Sequence, residues 1–143
     1  MKPIIPAKNE SITTQKYNTS KLKIESLNTE TRPFQKVYIS PQRLKDFLKS
    51  EAITYGVDYD EIYSVAMAES GFHLNAYNEI GKSYGIFQYI PSTFKAYCKG
   101  DYLNPYHQIT CATRMFSEGK KYHWDAFCLQ HKGNKNCQKR GFN

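Results

Sequence analysis

The sequence contains no long apolar run. None of its 143 residues lies in a stretch of about 18 consecutive apolar side chains, the length that a membrane-spanning helix needs. We therefore expect no transmembrane segment. The opening stretch, Met1–Pro6, is too short for the apolar core of a secretory signal peptide. If the protein is exported, we expect that its signal has been removed or that export uses another route.

Cysteine pairs with metal-ligand spacing are also missing. The four cysteines form no Cys-x-x-Cys pair and show no zinc-finger spacing with the four histidines, so we expect neither a metal nor another cofactor. All four lie in the C-terminal third, and an even count in a small domain is typical of two disulfides and an oxidising compartment. Four reduced thiols are the alternative. Short loops favour the pairs Cys98–Cys111 and Cys128–Cys137, while the other two connectivities stay open.

Acidic residues are few relative to basic ones: 13 Asp and Glu against 20 Lys and Arg, a net charge of +7. Such a balance favours an anionic partner, namely nucleic acid, acidic lipid or an anionic cell-wall polymer. No basic cluster interleaved with aromatic residues, no helix-turn-helix and no Cys/His finger occurs. We therefore expect no nucleic-acid partner, whose binding would weaken steeply with salt.

The chain divides by composition near residue 39. Residues 1–38 are rich in Lys, Thr, Ser and Asn and lack sustained periodicity, which predicts a disordered or loosely packed tail or linker. Residues 39–143 are of a length that suits one domain.

Helical signals begin at Ser40-Pro41, which are favourable N-cap and first-turn residues. An apolar stripe follows as far as Gly56, a plausible C-terminal stop. It consists of Leu44, Phe47, Leu48 and Ile53. Asp58 with Glu61 then forms a capping-box-like start for a second helix that ends near Gly71.

The rest of the pattern is also mainly helical. Turn residues surround short β-prone pieces in residues 73–90, and further helices are predicted at 91–99, 104–119 and 124–130. The residues of the 104–119 helix expected to face inward are Ile109, Ala112, Met115 and Phe116. Residues 131–143 read as a basic, polar tail. The sequence therefore predicts an α+β domain, mostly α, with one small irregular β element between the second and third helices.

One carboxylate shares the apolar face of the second helix. The residues of this face follow Ile62 at intervals of 3, 4, 7 and 10, which are Val65, Ala66, Glu69 and Phe72. Burial raises the pKa of a carboxyl group, so that it stays protonated near neutral pH. A protonated carboxylic acid facing a cleft is the group that a glycosidic oxygen needs in order to leave. The alternative is that Glu69 lies at the rim or pairs with a base such as Lys82.

Two segments at this point form a pair of motifs. Glu69-Ser70-Gly71-Phe72 is followed by Gly85-Ile86-Phe87-Gln88-Tyr89-Ile90-Pro91-Ser92-Thr93. In this order and spacing they resemble the Glu-Ser-x-Phe and Gly-Leu-Met-Gln-Ile-x-Pro-Ser-Thr segments of the SLT-type lytic transglycosylases of the lysozyme superfamily. The run Ser83–Gln88 also resembles the equivalent segment of chicken-type lysozymes. The resemblance covers roughly residues 42–130, and it implies a lysozyme-like fold with a sugar-binding cleft.

The resemblance also implies roles for individual residues. Glu69 matches the catalytic acid/base, Ser70 the serine that orients it, and Gln88 the glutamine that lines the sugar cleft. The other candidate substrate-binding residues are Ser83, Tyr84, Tyr89 and Trp124. The two tyrosines would stack on sugar rings, and Trp124 would replace the far wall formed by a Tyr-Asn-Ala-Gly segment that this chain lacks.

The chain departs from chicken-type lysozymes at Ser83, where those proteins carry a second carboxylate. Hydrolysis with retention needs that carboxylate about 5 Å from the acid, and the nearest other acids are Glu79 and Asp101. Single-Glu chemistry is therefore favoured: Glu69 protonates the glycosidic oxygen and then, as a carboxylate, takes the proton of the muramic C6 hydroxyl. The product would carry a 1,6-anhydro ring.

The function predicted in this way is a peptidoglycan lytic transglycosylase that cleaves the MurNAc-β-1,4-GlcNAc bond of glycan strands. The alternatives are a hydrolytic lysozyme (muramidase) assisted by Glu79 or Asp101, and a non-catalytic module that binds cell-wall glycan. The predicted location is extracytoplasmic (periplasm, cell wall or secreted) or phage-borne. A secretion, conjugation or phage assembly would be the partner in the more specialised of these settings.

Overall fold

The computed structural model describes residues 38–143, and Ile39–Asn143 form one compact unit. The predicted tail, residues 1–38, lies outside the described residues except for Tyr38. Among the described residues, the elements are six α-helices, one two-stranded sheet and one 3-10 turn. They are α1 (Pro41–Tyr55), α2 (Tyr59–Ser70), β1 (Tyr77–Asn78), β2 (Ser83–Tyr84), α3 (Pro91–Tyr97), α4 (Pro105–Ser117), the 3-10 turn (Lys121–His123), α5 (Asp125–Gln130) and α6 (Lys135–Lys139).

Helix α1 begins and ends where the sequence predicts. The Ser40 hydroxyl accepts a hydrogen bond from the Arg43 N–H at 3.2 Å, and Gly56 closes the helix in a left-handed conformation with φ 66°. Leu44 and Leu48 are fully buried.

One residue of the predicted α1 stripe was placed wrongly. Ile53 is 75% exposed, and Ala52 takes the inward position instead. The reason is helical geometry: Ala52 follows Leu48 by four residues and shares its face, whereas Ile53 is rotated by a further 100° or so.

Helix α2 carries Glu69 in its last turn. Asp58 caps it, because its carboxylate accepts the Glu61 N–H at 3.0 Å. The Glu61 side chain does not complete a capping box; its carboxylate pairs with Lys121 Nζ at 2.9 Å. Gly71 ends the helix in a left-handed conformation, and its N–H bonds to the Met67 carbonyl.

The β element is a short antiparallel pair. Tyr77 lies opposite Tyr84 and Asn78 opposite Ser83, and a single bridge joins Tyr84 to Tyr89. The chain therefore folds back on itself twice within residues 77–89. This confirms the predicted small, irregular β element, and the structure as a whole confirms the mostly α, α+β class.

Helix α4 packs against α1 and supplies much of the core. Asn104 caps it by accepting the N–H groups of Tyr106 and His107. The four residues predicted to face inward are all buried: Ile109, Ala112, Met115 and Phe116. Gln108, a polar residue of the same helix, is fully buried as well.

The C-terminal residues are more ordered than a polar tail. Helix α6 lies inside residues 131–143, its N-terminus is capped by the Asn134 side chain, and Cys137 is fully buried. Cys98 is bonded to Cys111 and Cys128 to Cys137, which is the connectivity that the short loops favour. No helix among residues 38–143 is both long enough and apolar enough to cross a membrane.

Candidate active site

Glu69 opens onto a cleft of about 330 Å³. One wall comes from the β element and the turn behind it, and the other from the segment around α5. The polar and charged side chains that line it are Glu69, Asn78, Ser83, Gln88, Thr93, His123, Asp125 and Arg140. A cleft lined by acidic groups and by hydrogen-bonding groups is suited to a polar polymer such as a glycan strand.

Glu69 itself is partly buried in this cleft. Burial is the largest influence on the Glu69 carboxyl group and raises its pKa; the backbone N–H of Ala126 lowers the pKa in part, and the charge of Asp125 raises it. The net direction is upward from the ordinary value. Glu69 therefore keeps its proton at a higher pH than an exposed glutamate would, as a general acid requires.

Ser70 does not line the cleft. Its hydroxyl donates to the Ile86 carbonyl at 2.7 Å and lies 3.3 Å from the Ala66 carbonyl. Ile86 is fully buried, so this bond joins the end of α2 to the turn that follows β2.

The bond from Ser70 to the Ile86 carbonyl is expected to stabilise the fold. Ser70→Ala leaves the buried Ile86 carbonyl without a partner, and we expect a loss of about 1–3 kcal/mol in the free energy of unfolding. Ser64→Ala is the matched control, because the Ser64 hydroxyl bonds only to the Glu61 carbonyl of its own helix. Urea unfolding of both variants measures the difference in the free energy of unfolding. Equal values would show that the bond from Ser70 to the Ile86 carbonyl does not stabilise the fold.

Ser83 and Gln88 form one hydrogen-bonded unit on the cleft wall. The Ser83 hydroxyl donates to Gln88 Oε1 at 2.8 Å, and Gln88 Nε2 donates to the carbonyls of Gly85 (2.9 Å) and Ala76 (3.1 Å). Gln88 has a positive φ of 50°, an uncommon conformation for a non-glycine residue. These bonds hold its amide at one orientation in the site.

The aromatic candidates divide into two groups. Tyr89 and Trp124 line the cleft but are 3% and 6% exposed, and the Trp124 Nε1–H donates to the Phe87 carbonyl at 3.0 Å. They form the cleft floor as part of the core. Tyr84 lies outside the cleft lining, and its hydroxyl donates to Asn75 Oδ1 at 2.8 Å.

Comparison with known proteins agrees with this geometry. The family model of the Transglycosylase SLT domain matches residues 46–127, more than half of the chain. The chain belongs to the SLT transglycosylase family. The predicted resemblance and the lysozyme-like fold class are thereby confirmed, and membership implies a peptidoglycan-acting function of the lytic transglycosylase type. No curated protein and no solved structure matches the chain.

The SLT domain contains a buried polar residue that sequence reasoning missed. Gln108 Nε2 donates to the carbonyls of Tyr84 (2.9 Å) and Tyr102 (2.6 Å), and its Oε1 accepts the Phe87 N–H at 3.3 Å. This one side chain holds the turn that carries Gln88. An amide on the buried face of α4 was its only signal in the sequence.

Charged residues on the C-terminal wall were missed too. His123, Asp125 and Arg140 line the cleft of the SLT domain, and Arg140 lies beyond the segment that the family model matches. Glu79 and Asp101, considered above as second carboxylates, are not part of the lining. Asp125 reads in the sequence only as the acidic first residue of a short helix, and Arg140 as one more cation of a basic tail.

Proposed function

We propose that this protein is a peptidoglycan lytic transglycosylase that cleaves the MurNAc-β-1,4-GlcNAc bond with Glu69 as its one acid/base group. The observation that carries the proposal is the raised pKa of the Glu69 carboxyl group inside a polar cleft. Protonated Glu69 gives its proton to the glycosidic oxygen, and the bond from that oxygen to C1 of the muramic residue breaks.

The second half of the reaction uses the carboxylate that remains. It takes the proton of the muramic C6 hydroxyl, and O6 bonds to C1 to close a 1,6-anhydro ring. Glu69 is thereby protonated again, and no water is consumed. The substrate's own N-acetyl group stabilises the positive charge at C1 between the two steps.

The cleft offers one observation in favour of a second candidate, a hydrolytic muramidase. Asp125 brings a second carboxylate to the lining, near enough for its charge to act on Glu69. Retaining hydrolysis uses two carboxyl groups about 5 Å apart. However, Asp125 is paired with Arg140 at 2.6 Å, which reduces its ability to act as a nucleophile, and Ser83 stands in the position of the carboxylate of chicken-type lysozymes. The transglycosylase is therefore the preferred candidate.

The location proposed for this activity is extracytoplasmic. The family acts on peptidoglycan, and the two disulfides suit an oxidising compartment. The net charge of +7 suits an anionic wall polymer.

Mass spectrometry of the muropeptides released from purified peptidoglycan tests the proposal. We expect products lighter by one water than those of hydrolysis, because the anhydro ring forms without water. Reducing-end muramic acid would instead identify a muramidase. No release by the parent protein, together with retained binding to peptidoglycan, would identify a glycan-binding module.

A further inference from the structure

An ion pair stands on the cleft wall next to the catalytic candidate. Asp125 begins α5, Arg140 follows α6, and the Arg140 guanidinium donates to Asp125 Oδ1 at 2.6 Å. Both residues line the same cleft as Glu69. The Asp125 side chain is 65% exposed and that of Arg140 is 36% exposed. The pair therefore lies at the cleft surface, where a charge acts on its neighbours without the large cost of full burial.

Several contacts hold Arg140 at this place. The Cys128–Cys137 disulfide ties α6 to α5, and the guanidinium also donates to the Tyr122 carbonyl. The guanidinium lies 5.4 Å from the centre of the Phe142 ring. An arginine with these anchors keeps one orientation, in contrast to a freely moving surface cation.

Few charged side chains of the part of the chain that the structure describes line the cleft with Glu69. From the C-terminal segment they are Asp125 and Arg140. The ring of His123 also lines the cleft, and burial and the nearby Arg140 and Lys120 lower its pKa, which disfavours its charged form. On α2 itself, Glu61 is already paired with Lys121. The walls formed by the β element and α3 contribute neutral polar groups to the lining. Among residues 38–143, Asp125 is thus the one other carboxylate in the cleft lining.

We propose that the Asp125–Arg140 ion pair is a positioning device for the acid: Arg140 holds the Asp125 carboxylate beside Glu69 and offsets part of its negative charge. The role of the pair in catalysis rests on the proposed function. A carboxylate nearby disfavours the ionised form of Glu69, and a cation bonded to that carboxylate weakens the effect. The two members of the pair therefore act on the acid in opposite directions.

Substitution of Arg140 and substitution of Asp125 should therefore shift the Glu69 pKa in opposite directions. Arg140→Gln exposes the full Asp125 charge, so Glu69 should lose its proton at higher pH, and the alkaline limb of kcat/KM should move up by about half a pH unit. Asp125→Asn removes the negative charge and leaves an unpaired cation, so the limb should move down by a similar amount. The alkaline limb reports this group because the acid step requires protonated Glu69.

Three further variants act as controls. Arg140→Lys keeps the positive charge and should restore most of the parent profile. Lys135→Gln removes a cation of α6 that forms no ion pair within residues 38–143, and Asp60→Asn removes an exposed anion of α2. Neither variant should move the alkaline limb. If Lys135→Gln and Asp60→Asn shifted the alkaline limb as much as the substitutions of Arg140 and Asp125 do, net charge alone would explain the shifts, and the inference would be overturned.

A second measurement separates this inference from the proposed function. Carbon-detected NMR titration of the Glu69 carboxyl group measures its pKa whether or not the protein cleaves glycan. Opposite shifts of the Glu69 pKa in the two variants would support the inference even if no products form. The absence of products would overturn the proposed function and leave the inference about the ion pair standing. An unmoved Glu69 titration in both variants overturns the inference, even if their rates fall.

Discussion

Glu69→Gln is expected to lower the rate of muropeptide release by about 100- to 10,000-fold, the usual contribution of a general acid. The amide has nearly the same size and shape as the carboxylic acid, but it has no proton to give to the leaving oxygen and cannot later accept one from the C6 hydroxyl. The initial rate of release from purified peptidoglycan, followed near pH 6, measures the loss.

The control for this variant is Glu79→Gln. Glu79 is an exposed residue outside the cleft lining, so the same chemical change should leave the rate within about twofold. A Glu69→Gln protein that releases muropeptides as fast as the parent would contradict the assignment of Glu69 as the acid.

The stability of Glu69→Gln distinguishes lost chemistry from lost folding. The Glu69 pKa is raised in the folded state, so the unfolded chain gives up this proton first as pH rises. Ionisation therefore costs folding free energy above the ordinary glutamate pKa, and the cost grows until the folded-state pKa is passed. We expect the free energy of unfolding of Glu69→Gln to be at least equal to that of the parent at neutral pH. At acid pH, where the parent no longer has the cost of ionising Glu69, the advantage of the variant should be smaller. Thermal unfolding at the two pH values checks the sign.

Gly85→Ala is expected to reduce the free energy of unfolding by about 2–5 kcal/mol. Two separate effects act at this position. Gly85 has φ +87°, which a residue with a Cβ rarely adopts, and an added Cβ would stand 2.3 Å from Gln108 Nε2. Gln108 cannot move away without giving up its bonds to the Tyr84 and Tyr102 carbonyls. Denaturant unfolding measures the change.

Gly133→Ala is the matched control for the glycine. An added Cβ at Gly133 meets nothing within 4 Å, and the residue does not have a positive φ; we expect a change within about 0.5 kcal/mol. If Gly85→Ala unfolds at the denaturant concentration of the parent, the close approach of Gly85 to Gln108 is not important for stability. Because this turn carries Gln88, the destabilised variant should also show weaker binding of glycan.

Sequence reasoning succeeded where the signal is local. The caps at Ser40 and Asp58 form as expected, because a side chain and an N–H three residues later meet in any helix start. The inward positions of α4 followed from the helical period. The paired motifs around Glu69 and Gln88 led to the family, which the family model then confirmed.

It failed where the cause is a contact between distant parts of the chain. Helix α6 has five residues, too few for periodicity to be visible and too few to be stable alone; a disulfide and an Asn cap hold it. The bond from the Ser70 hydroxyl to the Ile86 carbonyl joins residues 16 positions apart, and no sequence pattern predicted it. No spacing rule connects Gln108 with the turn at Gly85.

By itself, then, the sequence predicted five of the six helices among the described residues, favoured the disulfide pairs that close short loops, and singled out Glu69 as the candidate acid. These depend on hydrogen bonds and periodicities that span a few residues. Only the tertiary structure showed which other charged groups share the cleft with Glu69. Asp125 and Arg140 reach it from far along the chain, and the charge that they place there depends on how α5 and α6 pack, because electrostatic interaction follows distance in space and not position in the sequence.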